Sequence, residues 1–118
     1  MRLLCRTGGS TEIMKEIDTL KVETSLNGTE LTVFAHGRIN TSTAPAFDEE
    51  ISHYLESITS LILDFEDLIY LSSTGLALLL KYQKSMTAKN GTLLVRHPCD
   101  TVYTILEASG FTAVLAIE

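Results

Sequence analysis

Leu20-Lys21-Val22-Glu23-Thr24-Ser25-Leu26 alternates apolar and polar side chains, and Leu31-Thr32-Val33-Phe34-Ala35 does the same. Period-two alternation is the signature of a strand with one buried face. Between the runs lies Asn27-Gly28-Thr29-Glu30, and Asn-Gly tolerates the positive φ of a tight hairpin turn. The chain is thus expected to open its folded body with an antiparallel pair, strands over residues 19–26 and 30–37.

The pattern then changes. Asn40-Thr41-Ser42-Thr43-Ala44-Pro45 offers capping residues and a proline suited to a first helical turn. Phe47, Ile51, Leu55 and Ile58 recur at helical spacing, which predicts a helix over 43–57. Leu61-Ile62-Leu63-Asp64-Phe65 reads as a short buried strand, followed by an acidic turn at Glu66-Asp67. After Ser72-Ser73-Thr74-Gly75 a leucine-rich helix follows, with Leu76, Leu79, Leu80, Gln83 and Met86 on its expected core face and Asn90-Gly91 ending it. Thr92-Leu93-Leu94-Val95-Arg96 predicts a strand. Asp100 or Thr101 caps a helix carrying Val102, Ile105 and Leu106, and Gly110 stops it; residues 112–117 predict a last strand. Strands alternating with helices imply right-handed crossovers and parallel pairing. The expected class is α/β: a single mixed sheet of about five strands with an opening β-hairpin, and helices mainly on one face.

A chain of 118 residues fits one domain. Residues 1–13 read as a flexible N-terminal extension, with Met14 as an alternative start, and 14–118 as the domain. The net charge of −6 disfavours direct contact with phosphate backbones and anionic lipid. No segment approaches the ~20 apolar residues of a membrane helix, and Arg2 and Arg6 are not followed by a secretory apolar region. Cys5 and Cys99 lie far apart in unlike contexts and read as free thiols in a reducing cytosol. The expected location is cytoplasmic.

Ser72, Ser73 and Thr74 stand where a helix begins, beside amides that have no intrahelical acceptor. A hydroxyl there can cap the helix, and an anion such as a phosphate is also well placed there. Local chemistry alone leaves both readings open. Ser-Ser-Thr-Gly is not a Gly-x-Ser-x-Gly elbow, and nothing in the sequence brings His36, His53 or His97 to the serine as a base. The histidines also lack metal-ligand spacing. No enzyme activity, metal or cofactor is expected.

The segment from Asp64 to Leu80, DFEDLIYLSSTGLALLL, resembles the signature of STAS domains, specifically the anti-sigma-factor antagonists: a strand ending in Asp or Asn, an apolar turn, then Asp-Ser-Ser/Thr-Gly-Leu opening a helix. Gly37-Arg38-Ile39-Asn40-Thr41-Ser42-Thr43-Ala44 is similar to the family's Gly-x-Leu-Asp-x-x-Thr-Ala, and Ile105 to Phe111 to its closing Leu-x-x-x-Gly-Leu/Phe. The matches keep family order over roughly residues 17–118. The resemblance implies a cytosolic monomer that binds an anti-sigma factor, a GHKL-type serine kinase, and so frees a sigma factor. It implies phosphorylation at Ser73, restoration by a serine phosphatase, and a partner-binding surface at Asn40, Thr41, Ser72, Ser73, Thr74 and Gly75. Two positions depart from the family: Ser72 stands for its aspartate, and Asn40 for another frequent acid. The alternative is a STAS interaction module of a transport complex or signalling scaffold without regulated phosphorylation.

Overall fold

The computed structural model describes residues 11–17 and 20–118, with side chains from Leu20 onward. Most of the extension expected over 1–13 therefore lies outside the described residues. Strands β1 (Thr11–Ile17), β2 (Leu20–Asn27) and β3 (Glu30–Ile39) are followed by α1 (Ala44–Ser52), β4 (Ser60–Leu71), α2 (Ser73–Ala88), β5 (Thr92–Arg96), α3 (Asp100–Ala108), a 3-10 turn (Phe111–Ala113) and β6 (Ala116–Ile117). They form one six-stranded sheet in the order β1-β2-β3-β4-β5-β6. The first two pairings are antiparallel and the rest parallel.

The hairpin forms as expected, one residue later than the Asn-Gly signal suggests. Asn27 pairs with Glu30, so Gly28 and Thr29 make the turn. Gly28 takes φ +66°, which a side chain would resist although nothing lies near enough to clash.

Alternation then sets the core. Leu20 and Val22 of β2, Leu31, Val33 and Ala35 of β3, Leu61, Leu63 and Phe65 of β4, and Leu93 and Val95 of β5 are all buried on one side. Each of these side chains apart from Ala35 contributes about 1.5–3 kcal/mol. Three consecutive right-handed crossovers between neighbouring parallel strands place α1, α2 and α3 over this same side. Phe47 and Ile51, Leu79, Tyr82 and Met86, and Val102 and Leu106 are their buried contributions.

Several elements differ from the sequence reading. β4 has twelve residues and runs straight through Glu66-Asp67 instead of turning there. It stays paired with β3 by absorbing register shifts between Phe34 and His36 and between Gly37 and Arg38. α1 ends at Ser52 rather than 57. Beyond it, the carbonyls of Leu55 and Ile58 accept from Lys89 Nζ, and Tyr54 and Ser57 donate only three residues back. The strand expected over 112–117 is reduced to two residues by the 3-10 turn. On α2 the buried residues are Gly75, Leu79, Tyr82 and Met86, while Leu80 faces solvent.

Tyr82 explains that rotation. Its ring is buried and its Oη donates to Asp48 Oδ1 on α1 at 2.8 Å. Lys81 Nζ donates to both Asp48 oxygens at 2.9 Å. Burial alone would raise the Asp48 carboxyl, but the hydrogen bonds from Lys81 and Tyr82 and the charge of Lys81 outweigh it and hold it below its ordinary value. Burial, followed by the hydrogen bond and charge of Asp48, pushes the Tyr82 phenol far upward. A carboxyl lowered in the folded state stabilises above its unfolded pKa, and that stability disappears as pH falls through the folded value. Wild type should therefore melt above Asp48→Asn at neutral pH, and the gap should close below about pH 4. A gap that is constant across thermal melts from neutral to strongly acidic pH would contradict the assigned ionic contact.

Candidate partner-docking site

Two loops meet at the carboxyl ends of β3 and β4, where parallel α/β sheets place their functional groups. Ile39 pairs with Leu71, and Ser72 N–H donates to the Ile39 carbonyl at 2.9 Å. The residues that follow each strand, Asn40-Thr41 and Ser72-Ser73-Thr74-Gly75, are thereby side by side.

The first loop is self-organised. Asn40 Oδ1 accepts from the amides of Ser42 and Thr43 at 2.9 and 3.0 Å. The buried Thr43 hydroxyl accepts from Asn40 N–H at 2.9 Å and donates to the Arg38 carbonyl at 2.9 Å. This is the turn chemistry of a short polar side chain. Asn40 thus holds the entry to α1 with an oxygen that an aspartate would also supply, and Thr41 is left exposed beside it.

The second loop opens α2. Ser72 is the N-cap, in extended conformation, and its Oγ accepts from Gly75 N–H at 3.3 Å. Here too the serine does the capping work of the aspartate it stands for. Ser72→Ala should cost about 1 kcal/mol, read as a lower urea midpoint at unchanged slope; a midpoint equal to wild type would show that this cap contributes nothing.

Ser73 is the first helical residue, and its side chain is exposed. The first amide to donate within the helix is that of Leu76, to the Ser72 carbonyl. The amides of Ser73 and Thr74 therefore lie at the positive end of the helix dipole with no intrahelical acceptor. Gly75 is buried because the helix start presses on the strand ends. A Cβ there would come within 2.6 Å of Leu71 Cδ1 and 2.9 Å of Ile39 Cγ2.

Exposed apolar side chains near the end of β4 and on α2 are a feature that the sequence reading missed. Ile69 and Tyr70 are 52% and 39% exposed, and Leu80 is 37% exposed. Leu80 shares the outer face of α2 with Ser73 and the exposed Ala77, at i, i+4 and i+7. In sequence, Ile69 and Leu80 sit in apolar runs that imply burial. Only the register shift before Tyr70 and the insertion of Tyr82 into the core turn them outward.

The other candidates separate from this site. Cys99 stands at the N-cap position of α3, and its free thiol donates to the Leu68 carbonyl at 3.2 Å; Cys5 lies outside the described residues. His97 comes within 4.8 Å of Asp64 and Glu66, an arrangement that its sequence position does not reveal. Arg96 already donates to Asp64 Oδ2 from Nε and Nη2 at 3.3 and 3.2 Å, so a guanidinium occupies the oxygen a cation would need. His36 joins the β2–β4 surface, with Nε2 and Nδ1 each 2.9 Å from a carboxylate oxygen of Glu23 and Asp67.

Comparison with known proteins sets this arrangement in context. The STAS domain model matches residues 14–118. No curated protein matches the sequence. Among solved structures, the unphosphorylated anti-sigma factor antagonist SpoIIAA superimposes with a TM-score of 0.65 at 15% identity, over 92% of this chain and 87% of that one. The phosphorylated form of the Bacillus cell fate determinant SpoIIAA gives 0.64 at 16%, over 92% and 91%. An anti-sigma factor antagonist from Mycobacterium paratuberculosis gives 0.64 at 20%, over 92% and 85%. At these identities the likeness is one of fold. No described helix is long and apolar enough to cross a membrane.

Proposed function

The chain belongs to the STAS domain family, and from that premise we propose that it is a cytoplasmic anti-sigma factor antagonist, docking on a GHKL-type serine kinase and released by phosphorylation of Ser73. The observation that carries the reading is the exposed Ser73 side chain at the first position of α2, with exposed Ala77 and Leu80 on the same face of the helix. An apolar helix face beside one modifiable hydroxyl suits a surface that binds in one state and is repelled in the other.

In the proposed step, Ser73 Oγ attacks the γ-phosphorus of ATP held by the kinase. Its proton passes to a base on the kinase, and ADP leaves. The product adds roughly 1.5–2 negative charges and three acceptor oxygens at neutral pH. The helix start accommodates that charge, because the Ser73 and Thr74 amides and the dipole favour an anion. A docked partner must instead desolvate it against apolar side chains, so the penalty falls on the complex. A serine phosphatase restores the binding form by hydrolysis.

Ser72 and Asn40, standing for the family's acids, favour a second reading: an interaction module of a transport complex or scaffold that docks without regulated phosphorylation. One experiment separates them. The full chain is used as bait, and the recovered kinase is supplied with ATP. One phosphate should enter wild type and none Ser73→Ala. Labelling that persists in Ser73→Ala removes the site, and recovery of a transporter without any labelling selects the second reading.

A further inference from the structure

His36 lies on the side of the sheet away from the helices, between Glu23 of β2 and Asp67 of β4. Its Nε2 is 2.9 Å from Glu23 Oε1, and its Nδ1 is 2.9 Å from Asp67 Oδ2. Ionised carboxylates only accept, and a neutral imidazole has a single N–H. Both contacts are therefore hydrogen bonds only while the ring carries two protons. The ring is then a charged cross-tie over three neighbouring strands. With one proton removed, a nitrogen lone pair faces a carboxylate oxygen and that contact turns repulsive.

The tie falls where the pairing of β3 and β4 is interrupted. From Phe34 to Ile39 the chain takes five steps along β3, while β4 takes seven from Asp64 to Leu71. The two extra residues of β4 enter as bulges, one on each side of the pairs His36–Asp67 and Gly37–Leu68. Gly37 has φ +113°, a conformation that suits glycine at the second bulge. By plain alternation from Phe65, Asp67 would point into the core and Leu68 out of it. Instead Leu68 is buried, and Asp67 is bonded to His36 outside. The bulges decide which residue of β4 stands beside Ile39. They thereby decide whether Ser72 N–H meets the Ile39 carbonyl and the Asn40 and Ser73 loops adjoin.

Other described charges on this side are Lys21, opposite His36 on β2, and Arg38, two residues further along β3. Asp64 and Glu66 lie on β4. Arg96 of β5 and the following His97 sit against Asp64, at 3.2 and 3.5 Å.

We propose that His36 is a positioning residue of the docking site: its doubly protonated ring holds β4 in the bulged register that joins the two loops, and losing one proton lets the loops part. The role takes its meaning from the docking function proposed above, but its test needs no partner.

The test uses the full chain. The charge of the His36 ring is read from its two ring-nitrogen NMR signals as the pH is raised from about 5 to about 9. The junction of the loops is read from the hydrogen-exchange protection factor of the Ser72 amide. In wild type that factor should fall about tenfold in step with the loss of one ring N–H. His36→Gln, which offers an N–H on one side only, should show the lower value at every pH. His36→Arg, which keeps donors for both carboxylates at every pH, should show the higher value throughout. The Thr92 amide, bonded to the Thr59 carbonyl at the other end of the sheet, should keep its protection in all three proteins. Protection at Ser72 that ignores the charge of the ring overturns the proposal, as does a Gln variant equal to wild type at low pH. An Arg variant that behaves like the Gln variant overturns it too. Parallel loss at Thr92 makes His36 a general stabiliser of the sheet and overturns the positioning role. None of these readouts involves labelling at Ser73, so a failure here is distinct from a failure of the docking function.

Discussion

Ser73→Asp should weaken docking on the proposed serine kinase partner by about tenfold to a hundredfold, or roughly 1.4–2.8 kcal/mol. The carboxylate would sit on the same helix face as the exposed Ala77 and Leu80, where a docked partner would exclude water and the charge would lose its hydration. The folded protein itself should be unharmed. An acid at the first turn of α2 interacts favourably with the helix dipole, by about 0.3–1 kcal/mol, so the melting temperature should hold or rise slightly. Ser73→Ala should bind as wild type does. Titration calorimetry of the three proteins at fixed ionic strength, with thermal melts alongside, reads both halves of the expectation. Equal affinity for the Asp and Ala forms would remove charge as the switch; a lower melting temperature for Ser73→Asp would show that the helix start does not accept an anion.

Gly75→Val attacks the same site from inside and should destabilise by about 1–3 kcal/mol, the ordinary range for overpacking a filled core. In a domain of this size that corresponds to a fall in melting temperature of several degrees. The new Cβ would meet Leu71 Cδ1 at 2.6 Å and Ile39 Cγ2 at 2.9 Å, and both of those residues are buried. Valine is the informative replacement, because alanine gains about 1 kcal/mol of helix propensity over glycine and would mask part of the clash. The first turn of α2 relieves the contact by moving away from the ends of β3 and β4, which carries Ser73 away from Asn40 and Thr41. Docking on the proposed kinase should fall with stability. A urea midpoint equal to wild type would mean that Leu71 yields freely and that the helix start is not pressed against the strands.

The fold was legible where local chemistry and tertiary packing agree. The alternating runs, the glycine turn, the capped start of α2 and the succession of strands and helices follow from residue patterns that nothing else in the molecule overrides. β1 was not legible because Ile13, Met14 and Ile17 do not alternate; its pairing with β2 comes from the edge that β2 offers. Glu66-Asp67 carried turn chemistry but lies inside β4, because a strand can absorb a mismatch by bulging as well as by ending. The leucine run of α2 could not say which leucine faces out, since apolar residues at every position erase the helical period. The decision came from Tyr82 and its bond to Asp48, a residue on another helix. At the site, the cap at Ser72 and the neighbouring Ser73 were readable from the motif, whereas the exposure of Ile69, Tyr70 and Leu80 depended on the register shift and on that rotation.

The bond from Ser72 N–H to the Ile39 carbonyl also has a kinetic meaning. The hairpin of β2 and β3 is a local structure that closes on the microsecond scale. Bringing Asn40 beside Ser72 instead requires closing a loop of about thirty residues and setting two parallel strands in register, which is slower and waits on the crossover helix. Before that event a nascent chain can form the first turn of α2 and display its serine, yet it has no second loop next to it. A partner that grips both loops would pass over half-made copies and engage only those that have finished folding.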